Sequence, residues 1–202
     1  MTTSSMRLIR AVEIIGMPVV TIDGGEDVAE VKDVVYDGTN HQLVGFTLNK
    51  RGWFRGTLSE VLDAAQIAAI GRDAVMVGSA ADVSAPVAAP DAAALRDRGR
   101  DVLGNSVITT DGTALGTVSG VLLSAGKRPA AVGYELTDKG GASVLIPISA
   151  QLSLSGDNLV VPTDVRSFDP ADLAGFGAFA SAARHVVADD ATPNDQEAAA
   201  DE

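Results

Sequence analysis

The most distinctive side-chain chemistry of the sequence lies in one short segment, residues 50–56. It brings together three cations and two large aromatic rings, in a chain whose aromatic residues make up only 4%. Tryptophan and arginine are enriched at the energetically dominant positions of protein interfaces, and arginine beside aromatic rings also grips single-stranded nucleic acid. Either the segment contacts a partner, or its rings only cap one end of a domain. The candidate partner-binding residues are Lys50, Arg51, Trp53, Phe54 and Arg55.

The other reactive side chains form no pattern typical of an enzyme. The chain has no cysteine, which excludes a thiol nucleophile and thiolate metal ligands. His41 and His185 are far apart in the sequence, and each stands in a context that predicts a solvated side chain. Asp23 and Asp111 each precede a glycine, which is typical of a hairpin turn rather than of a metal site. Without a phosphate-binding loop or a nucleophile elbow, the sequence predicts no catalytic residue, no metal and no cofactor.

An internal repeat organises the chain. Four segments of the first half recur in the second half in the same order and with nearly the same spacing, which is the mark of a repeated structural unit. The aligned segments are 15–24 with 103–112, 28–31 with 115–118, 43–48 with 131–136, and 71–77 with 155–161. Two copies of one domain are therefore predicted.

Each copy is predicted to consist of five or six short strands. Stretches rich in valine, isoleucine and threonine alternate with turn residues, and roughly seventy residues leave no length for the helices that connect parallel strands. We therefore predict a mainly β fold of two tandem small antiparallel β-barrels. After the second copy, Asp169 and Pro170 predict the start of a short helix. Phe176 and Phe179 share one face of that helix, which we expect to pack on a barrel.

Changes in composition set the predicted domain boundaries. An alanine- and proline-rich linker separates the copies, and the final residues contain six of the 27 acidic side chains but no lysine or arginine. Such a segment is typical of a disordered, solvated tail. The predicted order is a first barrel domain at 7–78, a linker at 79–94, a second barrel domain at 95–166, a helix at 167–187, and the tail at 188–202.

The formal net charge of −12 also bears on partners and location. An acidic chain has little long-range attraction for phosphate backbones, which argues against nonspecific nucleic-acid binding. The sequence contains no apolar run of the roughly 18 residues that a membrane helix needs, and no apolar stretch typical of a signal peptide. Together with the absence of cysteine, these features predict a soluble cytoplasmic protein without a membrane span.

The order of short motifs in both copies resembles the PRC-barrel family. That order is hydrophobic-Gly-x-x-Val, then Asp-Gly, a Gly- or Ala-containing strand, Val-Gly-aromatic, and a final Gly-x-Asp-hydrophobic-Val. The family is named for the H subunit of the photosynthetic reaction centre, and it includes the C-terminal domain of a ribosome-maturation factor and many short prokaryotic proteins. The resemblance covers residues 7–78 and 95–166. It implies barrels that dock other macromolecules, and the replacement of the strand glycine by Ala29 in the first copy suggests unequal roles for the copies.

These observations support three hypotheses of function. The first is a cytoplasmic, non-enzymatic protein-interaction module or scaffold with an unidentified protein partner, either as a monomer or as one half of a homodimer. The alternative is an RNA- or ribosome-associated factor, which the basic segment at 50–56 favours and the net charge opposes. A third hypothesis is a binder of a small molecule or metal in the groove between the barrels. Ionic strength separates the first two, because binding to phosphates weakens steeply with salt.

Overall fold

The computed structural model describes residues 6–50, 57–84 and 102–189. Each copy of the repeat forms one β-sheet, and a long helix follows the second sheet. The elements of the first copy are β1 (Leu8–Arg10), α1 (Ala11–Ile14), β2 (Pro18–Thr21), β3 (Asp27–Asp37), β4 (Gln42–Lys50), β5 (Thr57–Asp63), a 3₁₀ helix (Ala64–Gln66), β6 (Ile67–Ile70), β7 (Val75–Val77) and α2 (Ala80–Ser84). Those of the second copy and beyond are β8 (Ser106–Thr109), β9 (Ala114–Ser124), β10 (Ala130–Thr137), β11 (Ser143–Pro147), β12 (Ser153–Ser155), β13 (Asn158–Val161) and α3 (Leu173–Asp189).

The two sheets have the same topology. Their strand orders are β5-β4-β3-β2-β7-β6 and β11-β10-β9-β8-β13-β12. Two details of the predicted antiparallel barrels are wrong. Strand β2 pairs with β7 in parallel, as β8 does with β13, because the four strands between them serve together as the long crossover that a parallel pair requires. In addition, neither sheet closes into a barrel among the described residues.

Bulges at matching positions bend both sheets. The pairing of β4 with β3 skips Val44, and the pairing of β10 with β9 skips Val132 at the aligned position of the second copy. A bulge bends its strand and increases the local twist. Two residues after each bulge, Phe46 and Tyr134 are completely buried. The Val-Gly-aromatic motif of each copy therefore supplies a bend in the sheet and an anchor in the core.

The two copies pack together as one body. Strand β1 belongs to the first copy by sequence, yet it pairs with β9 of the second sheet, with Ile9 opposite Leu123. At another point of the junction, Ile70 and Gly126 exchange two backbone hydrogen bonds of 3.0 Å. One continuous cluster of buried apolar side chains includes residues of both copies. The surface between the copies is therefore part of the core.

Two segments outside the sheets differ from the prediction. Residues 80–84, predicted as linker, form α2, because Val83 is buried and Asp82 accepts a hydrogen bond of 2.8 Å from the Ser79 amide. Helix α3 starts later than the predicted residue 167, because Asp172 rather than Asp169 accepts the hydrogen bond from an amide of the first turn. The remainder of the predicted linker and the predicted acidic tail from residue 190 lie outside the described residues.

Candidate functional site

A groove of about 500 Å³ opens at the junction of the two copies. Helix α1 and strand β3 form one side of it, and strands β9 and β10 form the other. Aligned positions of the two copies contribute to both sides, including Ile15 with Leu103 and Val34 with Val121. The described lining residues are Arg10, Ala11, Val12, Ile15, Asp33, Val34, Tyr36, Leu103, Ser119, Gly120, Val121 and Glu135.

The rim of this groove exposes large apolar side chains. Val12 is 69% exposed, Ile15 47% and Leu103 48%. In the part of the chain that the structure describes, the only other exposed large apolar residue is Ile22. Single apolar residues on a surface are ordinary, but several around one concave site are typical of a binding surface. Three of the four exposed large apolar side chains of the described residues therefore lie together at this groove.

The short helix α1 and the residue that follows it present two of these side chains, Val12 and Ile15, to the groove. Glu13 accepts a hydrogen bond of 3.0 Å from the Arg10 amide, which fixes the first turn. Within that turn Ile14 points into the core and is completely buried, whereas Val12 in the helix and Ile15 directly after it are exposed and line the groove. Burial of Ile14 therefore fixes the orientation of α1 that leaves Val12 facing the groove.

An ion pair joins the two copies in the groove. Arg10 of the first copy donates from Nε to Oε2 of Glu135 of the second copy at 2.8 Å, and both side chains are partly buried. This hydrogen bond raises the pKa of the Arg10 guanidinium, so the pair stays charged. Asp33 adds a second carboxylate to the lining. The described lining therefore contains two acidic residues and one basic residue.

Tyr36 connects the groove to a buried hydrogen-bonded cluster. Its hydroxyl is hydrogen-bonded to the hydroxyl of Tyr134 from the other copy, and both side chains are almost completely buried. Burial raises the pKa of both phenols, Tyr36 and Tyr134, so they stay protonated. On the far side, the hydroxyl oxygen of Tyr134 lies 2.6 Å from Nδ1 of His41. The other ring nitrogen, His41 Nε2, lies 3.3 Å from the carbonyl oxygen of Leu152. Because only a protonated Nε2 can donate to that carbonyl, the neutral ring accepts at Nδ1 from Tyr134.

The expectation that His41 is solvated is wrong. The residue lies in the turn between β3 and β4, but that turn packs on the second copy and leaves the imidazole partly buried. His41 has a φ of +54°, a left-handed conformation that asparagine, aspartate and histidine adopt more readily than other non-glycine residues. Its role follows from contacts between the copies, which no local sequence pattern reveals.

We predict that His41 makes the stability of the protein pH-dependent. Burial lowers its pKa from 6.5, although the hydrogen bond to the Leu152 carbonyl and the nearby carboxylate of Asp37 oppose this effect. Below pH 6.5 the unfolded chain binds a proton that the folded chain does not, so this contribution to stability is lost as pH falls through the lowered folded pKa. Urea unfolding between about pH 8 and about pH 5 should therefore show a steeper loss for the wild type than for His41→Asn. Equal slopes would contradict this prediction.

The structure does not test the partner-binding residues predicted from the sequence. Arg51, Trp53, Phe54 and Arg55 are outside the described residues, and of Lys50 the structure describes only its place at the end of β4. Their role therefore stays a prediction. Sequence reasoning named the groove between the copies only as a location for a small molecule or metal, and it identified none of the residues that line it.

The described residues contain no cluster of three or more histidine, aspartate or glutamate side chains able to hold a metal ion. No described helix is long and apolar enough to cross a membrane.

The geometry defines a class of protein with two tandem, bulged β-sheet modules that share a core and a groove. The family model of the PRC-barrel domain matches the chain twice, over residues 6–83 and 96–166. The chain therefore belongs to the PRC-barrel family, and the resemblance inferred from its motifs is confirmed. A search of the curated proteins found no match. PRC-barrel domains are known for binding and scaffolding roles.

Proposed function

We propose that this protein is a non-enzymatic docking protein that binds another protein in the groove between its two modules. The observation that carries the proposal is the convergence of Val12, Ile15 and Leu103 on one concave site. Removing exposed apolar surface from water contributes about 25 cal/mol per Å² to association, against which the entropy cost of binding is set. The binding role of the family agrees with such a site.

Site-specific photo-cross-linking tests this function. A photoreactive amino acid is placed at Val12 in one variant and at Ile22 in the other. Both positions are exposed, at 69% and 60%, but only Val12 lines the groove. We expect the probe at Val12, and not the probe at Ile22, to capture a protein from an extract of the native cells. Adding Leu103→Asp to the Val12 probe should abolish capture, because Asp places a charge on the opposite rim.

Three results would contradict the proposal. Capture of the same protein from both positions would mean that contact is nonspecific, and capture unaffected by Leu103→Asp would place the site outside the groove. Loss of the cross-link after nuclease treatment would favour the RNA-associated alternative. Circular dichroism of each variant shows whether the fold is retained. A Trp53→Ala/Phe54→Ala variant tests in parallel whether residues 50–56 contribute to the same contact.

A further inference from the structure

We propose that a patch of exposed cations at the junction of the two copies binds a compact anion with two or more phosphate groups. This basic patch comprises Arg7, Arg72, Lys127 and Arg128. It is separate from the groove, because Arg7 lies directly before β1 and the groove lies at the other end of that strand, where Arg10 is. A ligand at the basic patch would therefore occupy a second site on the protein.

Contacts between three distant segments bring the four cations together. The Arg7 side chain donates from Nη2 to the carbonyl oxygens of Ile70 at 2.9 Å and Gly71 at 2.6 Å. Ile70 in turn exchanges two backbone hydrogen bonds with Gly126. The residues that directly follow Gly71 and Gly126 supply the other three cations, which are all exposed: Arg72, Lys127 and Arg128. The basic patch therefore surrounds one point of the junction.

The Arg7 guanidinium is positioned in advance for an anion. A guanidinium has five N–H donors, and those on Nη2 contact Ile70 and Gly71. The donors of Nε and Nη1 have no acceptor in the described part of the chain, and Arg7 is exposed. Because the planar guanidinium matches the paired oxygens of a phosphate or carboxylate, Arg7 offers an anion a fixed set of donors. Such preorganisation reduces the entropy cost of binding.

Neighbouring carboxylates do not balance the charge of the basic patch. Asp73 is the one acidic residue in the turns that carry these cations, and none of the four cations forms an ion pair with a described carboxylate. In the other copy, the corresponding turn at 38–41 has no lysine or arginine, and Gly156 aligns with Arg72. The fold of the module therefore does not require cations at these positions.

The backbone of Arg128 is a second observation that points to binding. Its φ is +53°, in the left-handed region that glycine and asparagine adopt more readily than arginine. Residues held in such conformations cluster at functional sites. His41 has a φ of +54° in the corresponding turn of the first copy, where its side chain contacts Tyr134. A ligand contact would give the Arg128 side chain a comparable role.

The surroundings of the basic patch favour a compact ligand. None of the exposed large apolar residues of the described chain belongs to the segments that form the patch, so the apolar anchors typical of protein interfaces and membrane-bound helices are missing there. A long polyanion such as RNA would extend beyond the patch over a chain with a net charge of −12, which repels it. A short anion contacts the cations alone.

The identity of the cations favours phosphate over carboxylate. Three of the four are arginines, which bind phosphate oxygens in pairs. One phosphate monoester carries about two negative charges near neutral pH, whereas an acidic peptide needs a separate residue for each charge. A chain of two or three phosphates therefore delivers enough charge within the small area of the patch.

Calorimetric titration of the full-length protein with inorganic tripolyphosphate tests this proposal. A short polyglutamate peptide is the comparison, and we expect it to bind roughly tenfold more weakly. Affinity for tripolyphosphate should fall as salt is added, because salt screens exposed charges. A nucleoside triphosphate distinguishes two sources of the phosphates. Equal affinity would indicate that the phosphates alone are bound, and higher affinity would indicate a nucleotide ligand.

Matched variants locate the site. Arg128→Asn should weaken tripolyphosphate binding roughly tenfold without lowering the free energy of unfolding, because asparagine adopts a left-handed φ more readily. Lys139→Gln removes one exposed positive charge beyond the other end of β10, whose eight residues span about 26 Å. Its effect on affinity should be less than about twofold. Ile15→Ser, in the groove, should leave phosphate binding unchanged, so this proposal and the proposed function fail independently.

Four results would overturn the proposal. Equal losses from Arg128→Asn and Lys139→Gln would mean that only the net charge matters. Polyglutamate binding as tight as that of tripolyphosphate would exclude a preference for phosphate. Tighter binding of single-stranded RNA than of tripolyphosphate would exclude a compact ligand. Absence of binding by both tripolyphosphate and the nucleoside triphosphate would exclude the ligand class altogether.

Discussion

Replacing Gly45 with alanine is expected to lower the free energy of unfolding by about 3 kcal/mol or more. Gly45 follows the bulge at Val44, where β4 lies close to β5. A methyl group here would overlap the carbonyl oxygen of Leu62, lie 2.9 Å from its carbon, and lie 3.2 Å from the Asp63 Cα. These are backbone atoms within a sheet, so the clash can be relieved only by moving a strand. Urea unfolding followed by circular dichroism measures the loss.

Gly120→Ala is the matched control for this prediction. Gly120 also lies in a bulged strand, but a methyl group there would make ordinary contacts, the nearest at 3.5 Å to Glu135. Its effect on stability should be below about 1 kcal/mol in either direction, because alanine at a compatible position mainly reduces the freedom of the unfolded chain. Similar destabilisation by both variants would show that the close approach at Gly45 is not the cause.

The motif that contains Gly45 shows why part of the fold can be predicted from the sequence. The Val-Gly-aromatic motif occurs at aligned positions because each copy needs a bulge, a side-chain-free position and a buried ring in succession. These requirements are local, so they leave a recurring pattern in the sequence. The repeat and the mainly β character could be predicted for that reason. The family could be identified for the same reason.

Strand partners were harder to predict than strands. Parallel pairing of β2 with β7 joins the first and last strands of one sheet, and no residue near either strand distinguishes it from antiparallel pairing. The pairing of β1 with the other copy is set by the shared core, in which Ile9 is buried. Such contacts depend on residues far apart in the sequence. Hydrophobic periodicity therefore could not predict that the sheets stay open, nor that β1 pairs with the sheet of the other copy.

The candidate site was missed for a related reason. Ile15 and Leu103 both precede a glycine and align in the repeat, yet apolar side chains at these positions predict burial. Only the structure shows that each is about half exposed beside the same groove. The hydrogen bond between His41 and Tyr134 likewise joins residues of different copies. A site formed between two repeats leaves no contiguous motif in the sequence. The cations and aromatic rings of residues 50–56, by contrast, are adjacent in the sequence and can be recognised there.

Replacing Phe176 with alanine is expected to cost about 3–5 kcal/mol and to release helix α3 from the second sheet. Phe176 is completely buried, stacks edge-on against Phe168 at 5.4 Å, and lies over the backbone of Gly133, where any side chain would overlap its ring. Helix α3 also contains two glycines near its start, each unfavourable by about 1 kcal/mol relative to alanine. A helix of this composition depends on its packing. Loss of helical circular dichroism and faster proteolysis within α3 would report its release.

Phe179→Ala provides the comparison, because the same helix loses an aromatic ring of the same size at a less buried position. The ring centre of Phe179 lies 5.5 Å from that of Phe168 and 5.2 Å from the guanidinium carbon of Arg166. The Phe179 side chain is only partly buried. Partial exposure reduces both the area returned to water and the cavity left behind, so we expect a cost of about 1–2 kcal/mol. If Phe179→Ala destabilised the protein as much as Phe176→Ala, the attachment of α3 would depend on the aromatic group around Phe168 rather than on the fit over Gly133.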